Sequence, residues 1–240
     1  MVEQSAQFKE FQMPLAEPIN GSDSVTAVMG IPEWWPTCQR IAIVMAHDAD
    51  TDLNHPLLEH LQQKLTTEKF LTLRFNFPFA EANLPATSDS GETLLRTFRT
   101  AIAALHRDPT SAPAHVFIGG HGLGARVAAQ MATTQIRIEG AFLLSFPLHA
   151  PKDPTTISAE QLYRMTSPTL FVQGTRDKQC DIPTLSKTVR RMGTTTEVRS
   201  VHDADEQFRV PGESLRSSDE IYDEVFDHLL KWSDKHHIPQ

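Results

Sequence analysis

Short apolar runs rich in β-branched residues alternate with amphipathic stretches of helical length, and that alternation predicts an α/β fold: a mostly parallel, doubly wound sheet with helices on both faces. A second observation sharpens this. Residues 41–45, Ile-Ala-Ile-Val-Met, form an unbroken apolar run, the mark of a strand covered on both sides. The third is size, since 240 residues that are 40% hydrophobic suit one core and show neither an internal repeat nor a composition shift. The expected division is an N-terminal extension over 1–23 and a single domain over 24–240.

The opening residues are polar and carry Pro14, Pro18 and Gly21, after which 25–29 alternates and stops at Gly30-Ile31-Pro32, as an edge strand does. The core strand 41–45 is followed by a helix over 55–69, with Leu57, Leu58, Leu61 and Leu65 on one stripe. Residues 70–75 read as a strand and 90–106 as a helix that turns Leu94, Leu95, Phe98, Ile102 and Leu105 inward. Strand 115–118 runs into Gly119-Gly120-His121-Gly122-Leu123-Gly124 and a helix reaching Met131. Strands at 141–144 and 169–172 end at Pro147 and Gly174, and a helix over 183–192 begins with Pro183, which suits a first turn. A last strand over 197–201 and an amphipathic helix over 219–235 close the chain. About two dozen residues between 144 and 169 leave no room for a lid domain.

Composition excludes several classes. With 22 basic against 30 acidic residues the net charge is −8, a poor match for a nucleic-acid backbone. The excess is concentrated over 203–227, where nine acids face only Arg209 and Arg216; a solvated surface is the simplest reading, and a basic partner is the other. Cys38 and Cys180 are too far apart for a C-x-x-C site, and two cysteines make no disulfide framework, so a reducing cytoplasm is expected. No apolar run approaches the roughly 20 residues that span a bilayer, and the first residues do not resemble a signal peptide. Neither a membrane nor a cofactor is expected.

In open α/β sheets ligands bind beyond the carboxyl ends of the strands, which directs attention to the loops. His47-Asp48-Ala49-Asp50, Arg74-Phe75-Asn76-Phe77-Pro78-Phe79, the glycine turn, Phe146-Pro147-Leu148-His149, Gln173-Gly174-Thr175-Arg176-Asp177 and Ala204-Asp205-Glu206-Gln207-Phe208 fall in those loops in order. Together they resemble the small, lidless, dienelactone-hydrolase-like branch of the α/β-hydrolases, which includes the hydrolase-like subunit of a histone-acetylating complex. The likeness spans 24–236.

What the resemblance implies is a serine nucleophile, a histidine base and a carboxylate that orients the base. Asp177 stands at the carboxylate position. Gly122 stands where the serine belongs and Glu206 where the histidine belongs. Relatives resemble His-Gly-x-Gly in the oxyanion loop, whereas this chain has His47-Asp48-Ala49-Asp50, whose carboxylates repel an oxyanion. Glycine at 122 adopts the turn's positive φ without a Cβ penalty, so the turn is kept and its chemistry discarded.

His121, Leu123 and His149 are candidates to line the cleft, His121 packing beside the sheet. His202, four residues before Glu206, is a candidate replacement base. Ser145 with His149 is an alternative nucleophile and base, although a strand-end serine more simply bonds backbone. His47, Asp48, His121, His149, Asp177 and Glu206 include no pair with a recognised ligand spacing, so no metal is expected. Cys180 reads as an inert thiol, Arg126 as a structural cation that pairs with a carboxylate or carbonyl, and His236-His237 as a solvated terminus. The function these losses point to is a catalytically silent scaffold for a small ligand or a protein partner. The alternative is residual hydrolysis of a small ester or lactone by non-standard residues.

Overall fold

The computed structural model describes residues 6–34, 40–107, 112–150, 152–153 and 155–236. Cys38 and His237 lie outside them. Among the described residues eight strands form one sheet in the order β1-β2-β4-β3-β5-β6-β7-β8. They are β1 (Gln7–Ile19), β2 (Ser22–Ile31), β3 (Ile41–Ala46), β4 (Leu71–Phe75), β5 (His115–His121), β6 (Gly140–Leu144), β7 (Thr169–Gly174) and β8 (Thr196–Val201). From β4 to β8 every pairing is parallel, and β1 and β2 run antiparallel at one end.

The hydrophobic pattern explains the layers. Helices α1 (Pro56–Thr67) and α6 (Ser218–His236) bury Leu57, Leu61, Val225 and Leu229 against one face of the sheet. Helices α3 (Gly91–Ala104), α4 (Leu123–Met131) and α5 (Ile182–Val189) bury Leu94, Phe98, Val127 and Leu185 against the other. Ser90 caps α3 by accepting from the Thr93 amide at 3.1 Å, and Asp181 caps α5 by accepting from Thr184 at 2.8 Å. A single short turn, α2 (Pro78–Glu81), follows β4. Among the described residues between β6 and β7 there is only the one-turn helix Leu162–Arg164, so no lid covers the strand ends.

Two expectations change at the N-terminus. Residues 7–19 are not an extension outside the domain but strand β1, in register with β2 from Gln7 opposite Ile31 to Pro14 opposite Ser24. The edge strand is therefore β1, and the stretch 25–29 lies one place inward, between β1 and β4. The turn is Asn20-Gly21, both at positive φ (52° and 81°), the backbone that a tight hairpin of this twist requires.

Candidate functional site: a carboxylate seated in the glycine turn

Strand β5 ends at His121, and the chain turns through Gly122 at φ 54°, ψ −113° before α4 begins at Leu123. The turn is pinned by the Gly122 amide donating to the Leu144 carbonyl at 2.9 Å. Gly124 packs against the end of β3 so closely that a Cβ there would lie 2.3 Å from the Ala46 carbonyl oxygen. This close approach brings the loop after β3 directly over the turn.

Asp48 in that loop is 9% exposed and projects onto the turn. Its Oδ1 accepts from the Leu123 amide at 2.7 Å and from the Ala49 amide at 2.7 Å, and its Oδ2 accepts from Gln207 Nε2 at 2.8 Å. A Cβ built on Gly122 would fall 2.0 Å from Asp48 Oδ1 and 2.2 Å from its Cγ. The carboxylate thus fills the volume a side chain at 122 would need. Burial works to raise its pKa. The neighbouring His121, the two amides and Gln207 outweigh that and hold it below the ordinary carboxylate value.

His47 braces this arrangement. The Phe77 amide donates to its Nε2 at 3.0 Å, so the ring proton resides on Nδ1, which donates to the Asp48 carbonyl at 2.7 Å. Burial pushes His47 down to about 4, which keeps it a neutral strut between the loops after β3 and β4. His121 Nε2 donates to the Glu206 carbonyl at 2.8 Å and joins β5 to the loop after β8. Its ring lies 5.0 Å from that of His55, which burial pushes down to about 4. Leu123 is half-buried and contributes its backbone amide.

Asp177 follows β7. Its Oδ1 accepts from the Gln179 amide at 2.6 Å, and its Oδ2 accepts from the Gln173 side chain. Burial raises its pKa to about 6, and the Glu206 carboxylate adds to that rise. Glu206 is partly buried, and its Oε2 is enclosed without a hydrogen-bond partner among the described residues. Asp177 therefore has a second acid, Glu206, for a neighbour, and a glutamine occupies its Oδ2. Asp177, His149 and Cys180 line a cleft of about 440 Å³. There the His149 amide donates to the Gln179 carbonyl at 3.0 Å, and its Nδ1 donates to the Ala150 carbonyl at 3.0 Å.

The other candidates separate from this group. The His202 side chain is 80% exposed and sits 3.5 Å from Asp203 Oδ2 at the surface, so it is no replacement base. Ser145 has φ 43°, and its buried Oγ has no partner among the described residues, contrary to the backbone bond expected of it. Cys180 is 2% exposed, and burial pushes its thiol well up, which makes it inert. Arg126 donates to the Pro147 carbonyl and lies over the Phe146 ring at 5.7 Å. His236 is not solvated but packs its ring 5.2 Å from that of Trp232. Among the described residues no three His, Cys, Asp or Glu side chains converge as a metal set.

Sequence reasoning missed two parts of the site. One is Gln207, whose reach to Asp48 crosses 159 positions of sequence. The other is a cleft of about 520 Å³ beside the Asp48 loop, lined among others by Asp50, Asp52, His55, Phe79 and Leu84.

Comparison with known proteins agrees with this fold. The family model described as an alpha/beta hydrolase domain matches residues 39–234, and the chain belongs to that family. Among solved structures, a dienelactone hydrolase from Anabaena variabilis superposes with a TM-score of 0.72 at 14% identity, over 98% of this chain and 100% of that one. An alpha-beta serine hydrolase homologue from Coxiella burnetii gives 0.71 at 15% identity, over 93% and 96% of the two chains. A serine hydrolase without a lid from Xanthomonas campestris gives 0.70 at 12% identity, over 95% of each. At these identities the likeness is one of fold. Within such a fold the amide after the nucleophile and one from the loop after the first core strand form the oxyanion hole. In this chain the residue after Gly122 is Leu123 and the loop after β3 contains Ala49, and both amides donate to Asp48 Oδ1.

Proposed function

We propose that this protein is a catalytically silent α/β-hydrolase that uses the scaffold for binding. The observation that carries the reading is the Asp48 carboxylate. It accepts from the Leu123 and Ala49 amides and lies within 2.0 Å of where a Gly122 Cβ would be. The amides that would stabilise an acyl oxyanion are already satisfied by a negative charge, which opposes a second anion at the same place. No serine stands at the turn, and Glu206 in place of a histidine cannot act as a neutral nitrogen base toward Asp177.

The binding role falls to the cleft of about 520 Å³, where Asp50 and Asp52 favour a small ligand that brings hydrogen-bond donors or a positive charge over an anion. The acidic stretch 203–227 supports a basic protein partner as the alternative. Nucleic acid is disfavoured by the net charge of −8. Among the described residues no helix is long and apolar enough to cross a membrane. The free, buried thiol of Cys180 suits a cytoplasmic setting. The test of silence is incubation of purified protein with a fluorophosphonate probe and with p-nitrophenyl acetate. No labelling and no turnover above buffer are expected, and stoichiometric labelling defeats the proposal.

One observation favours a second reading, residual ester or lactone hydrolysis. Asp177, raised to about 6, shares its cleft with His149. That reading requires turnover that falls with Asp177→Ala and with His149→Ala.

A further inference from the structure

Among the described residues the sheet ends at β8, which pairs with β7 alone, and this open edge has a pattern that fits itself. The Thr195 and Val201 carbonyls accept from the Thr169 and Thr175 amides beside β7. Backbone groups alternate sides along a strand, so the odd-numbered residues of β8 turn toward β7 and Thr196, Val198 and Ser200 turn their N–H and C=O outward. Unlike β1, which carries Pro14 and Pro18, β8 has no proline to block an added strand.

A second copy added antiparallel about a two-fold axis perpendicular to the sheet keeps each side chain on its own face, so the paired positions must have the same parity. If the axis passes through Glu197, that residue opposes its own copy, and an axis through Arg199 places two arginines together. An axis through Val198 brings Val198 opposite Val198, Thr196 opposite Ser200, and Glu197 opposite Arg199 in both directions. This register also joins all three outward residues in the hydrogen-bonded pairs and leaves the charged positions in the non-hydrogen-bonded pairs. There opposed side chains approach most closely, with Cβ atoms about 5 Å apart. Within one chain Lys235 holds Glu197 Oε1 at 2.6 Å and Arg199 reaches Oε2 at 2.7 Å; the Glu197 side chain is 15% exposed and stays in place, while that of Arg199 is 51% exposed and can turn to the Glu197 Oε2 of the neighbouring copy.

We propose that β8 is a homodimer interface, two copies joining edge to edge about Val198 into one continuous sheet, with Glu197 of each opposite Arg199 of the other. This is independent of whether the glycine turn is silent, because the edge lies on another part of the sheet from Asp48.

Sedimentation equilibrium of the full chain at neutral pH and low salt tests the pairing. A reversible dimer is expected. Glu197→Arg and Arg199→Glu should each raise its dissociation constant by about tenfold or more, because each puts like charges opposite one another twice. The double variant Glu197→Arg with Arg199→Glu restores the complementarity and should return to within about threefold of the parent. Ser200→Pro removes an outward N–H without touching the β7 side, and it should yield monomer while Ser200→Ala remains dimeric; this pair decides the matter if the charge variants fold poorly. A parent that is monomeric up to about 0.5 mM overturns the proposal. So does a dimer indifferent to the single reversals, or one that the double variant does not recover.

Discussion

Replacing Gly122 with alanine places a methyl group where the Asp48 carboxylate now lies, 2.0 Å from Oδ1. Two costs follow. A non-glycine residue at φ 54°, ψ −113° carries about 1–3 kcal/mol of backbone strain. Asp48 must also withdraw from the Leu123 and Ala49 amides, and the loss of hydrogen bonds to a charged group costs about 1.5–3 kcal/mol. Together these predict a destabilisation of about 2.5–6 kcal/mol, a large part of a typical stability of about 5–15 kcal/mol. Urea unfolding of four proteins separates the terms: the parent, Gly122→Ala, Asp48→Gly and the double variant. In the Asp48→Gly background the alanine meets no carboxylate, so only strain remains, and the cycle should show a coupling of about 2 kcal/mol. A coupling below about 0.5 kcal/mol would falsify the claim that the two positions compete for one volume.

Other predictions follow from the same contacts. Asp177 has its folded pKa raised to about 6, so the stability linked to it is fully present below the unfolded aspartate value and is lost as pH rises through about 6. Asp177→Asn should therefore match the parent near pH 4 and exceed it at pH 8 by up to about 3 kcal/mol; equal curves at both pH values contradict the raised pKa. Gln207→Ala removes the donor to Asp48 Oδ2 and should cost about 1.5–3 kcal/mol in urea unfolding, whereas a loss below about 0.5 kcal/mol shows that the contact carries no weight. Gly122→Ser alone should give no esterase, because the new side chain meets Asp48 and has no base. Combining it with Glu206→His, Asp48→Gly and Asp50→Gly should yield slow p-nitrophenyl acetate turnover that requires the new histidine, and activity from the single change means the base has been misplaced.

The parallel core was legible because its strands announce themselves: Ile41 to Met45, Ala141 to Leu144 and Thr169 to Val172 are continuous apolar runs that only a sheet covered on both faces would use. Strand β1 was not, because among its residues only Met13 is buried and its two prolines read as loop. Its signal lay in Asn20-Gly21, a local turn preference rather than a hydrophobic period. At the site, Gly122 and Glu206 were legible as departures from the motif that the sequence resembles, and the proposed silence builds on that resemblance. The role of Asp48 was only half visible. Its charge predicted repulsion of an oxyanion, and the structure seats that charge on the amides themselves. Gln207 and the buried, unpartnered Ser145 hydroxyl depend on contacts distant in sequence or on a single backbone angle, neither of which composition or spacing encodes.

In the folded chain the Asp48 carboxylate occupies the Leu123 and Ala49 amides. The most direct measurement is an NMR pH titration of those two amide protons on the intact chain. Both should shift together with a midpoint below the ordinary aspartate value, exchange slowly with solvent, and lose the titration in Asp48→Asn. Amide protons at 49 and 123 that exchange freely, or that titrate unchanged in Asp48→Asn, would contradict it.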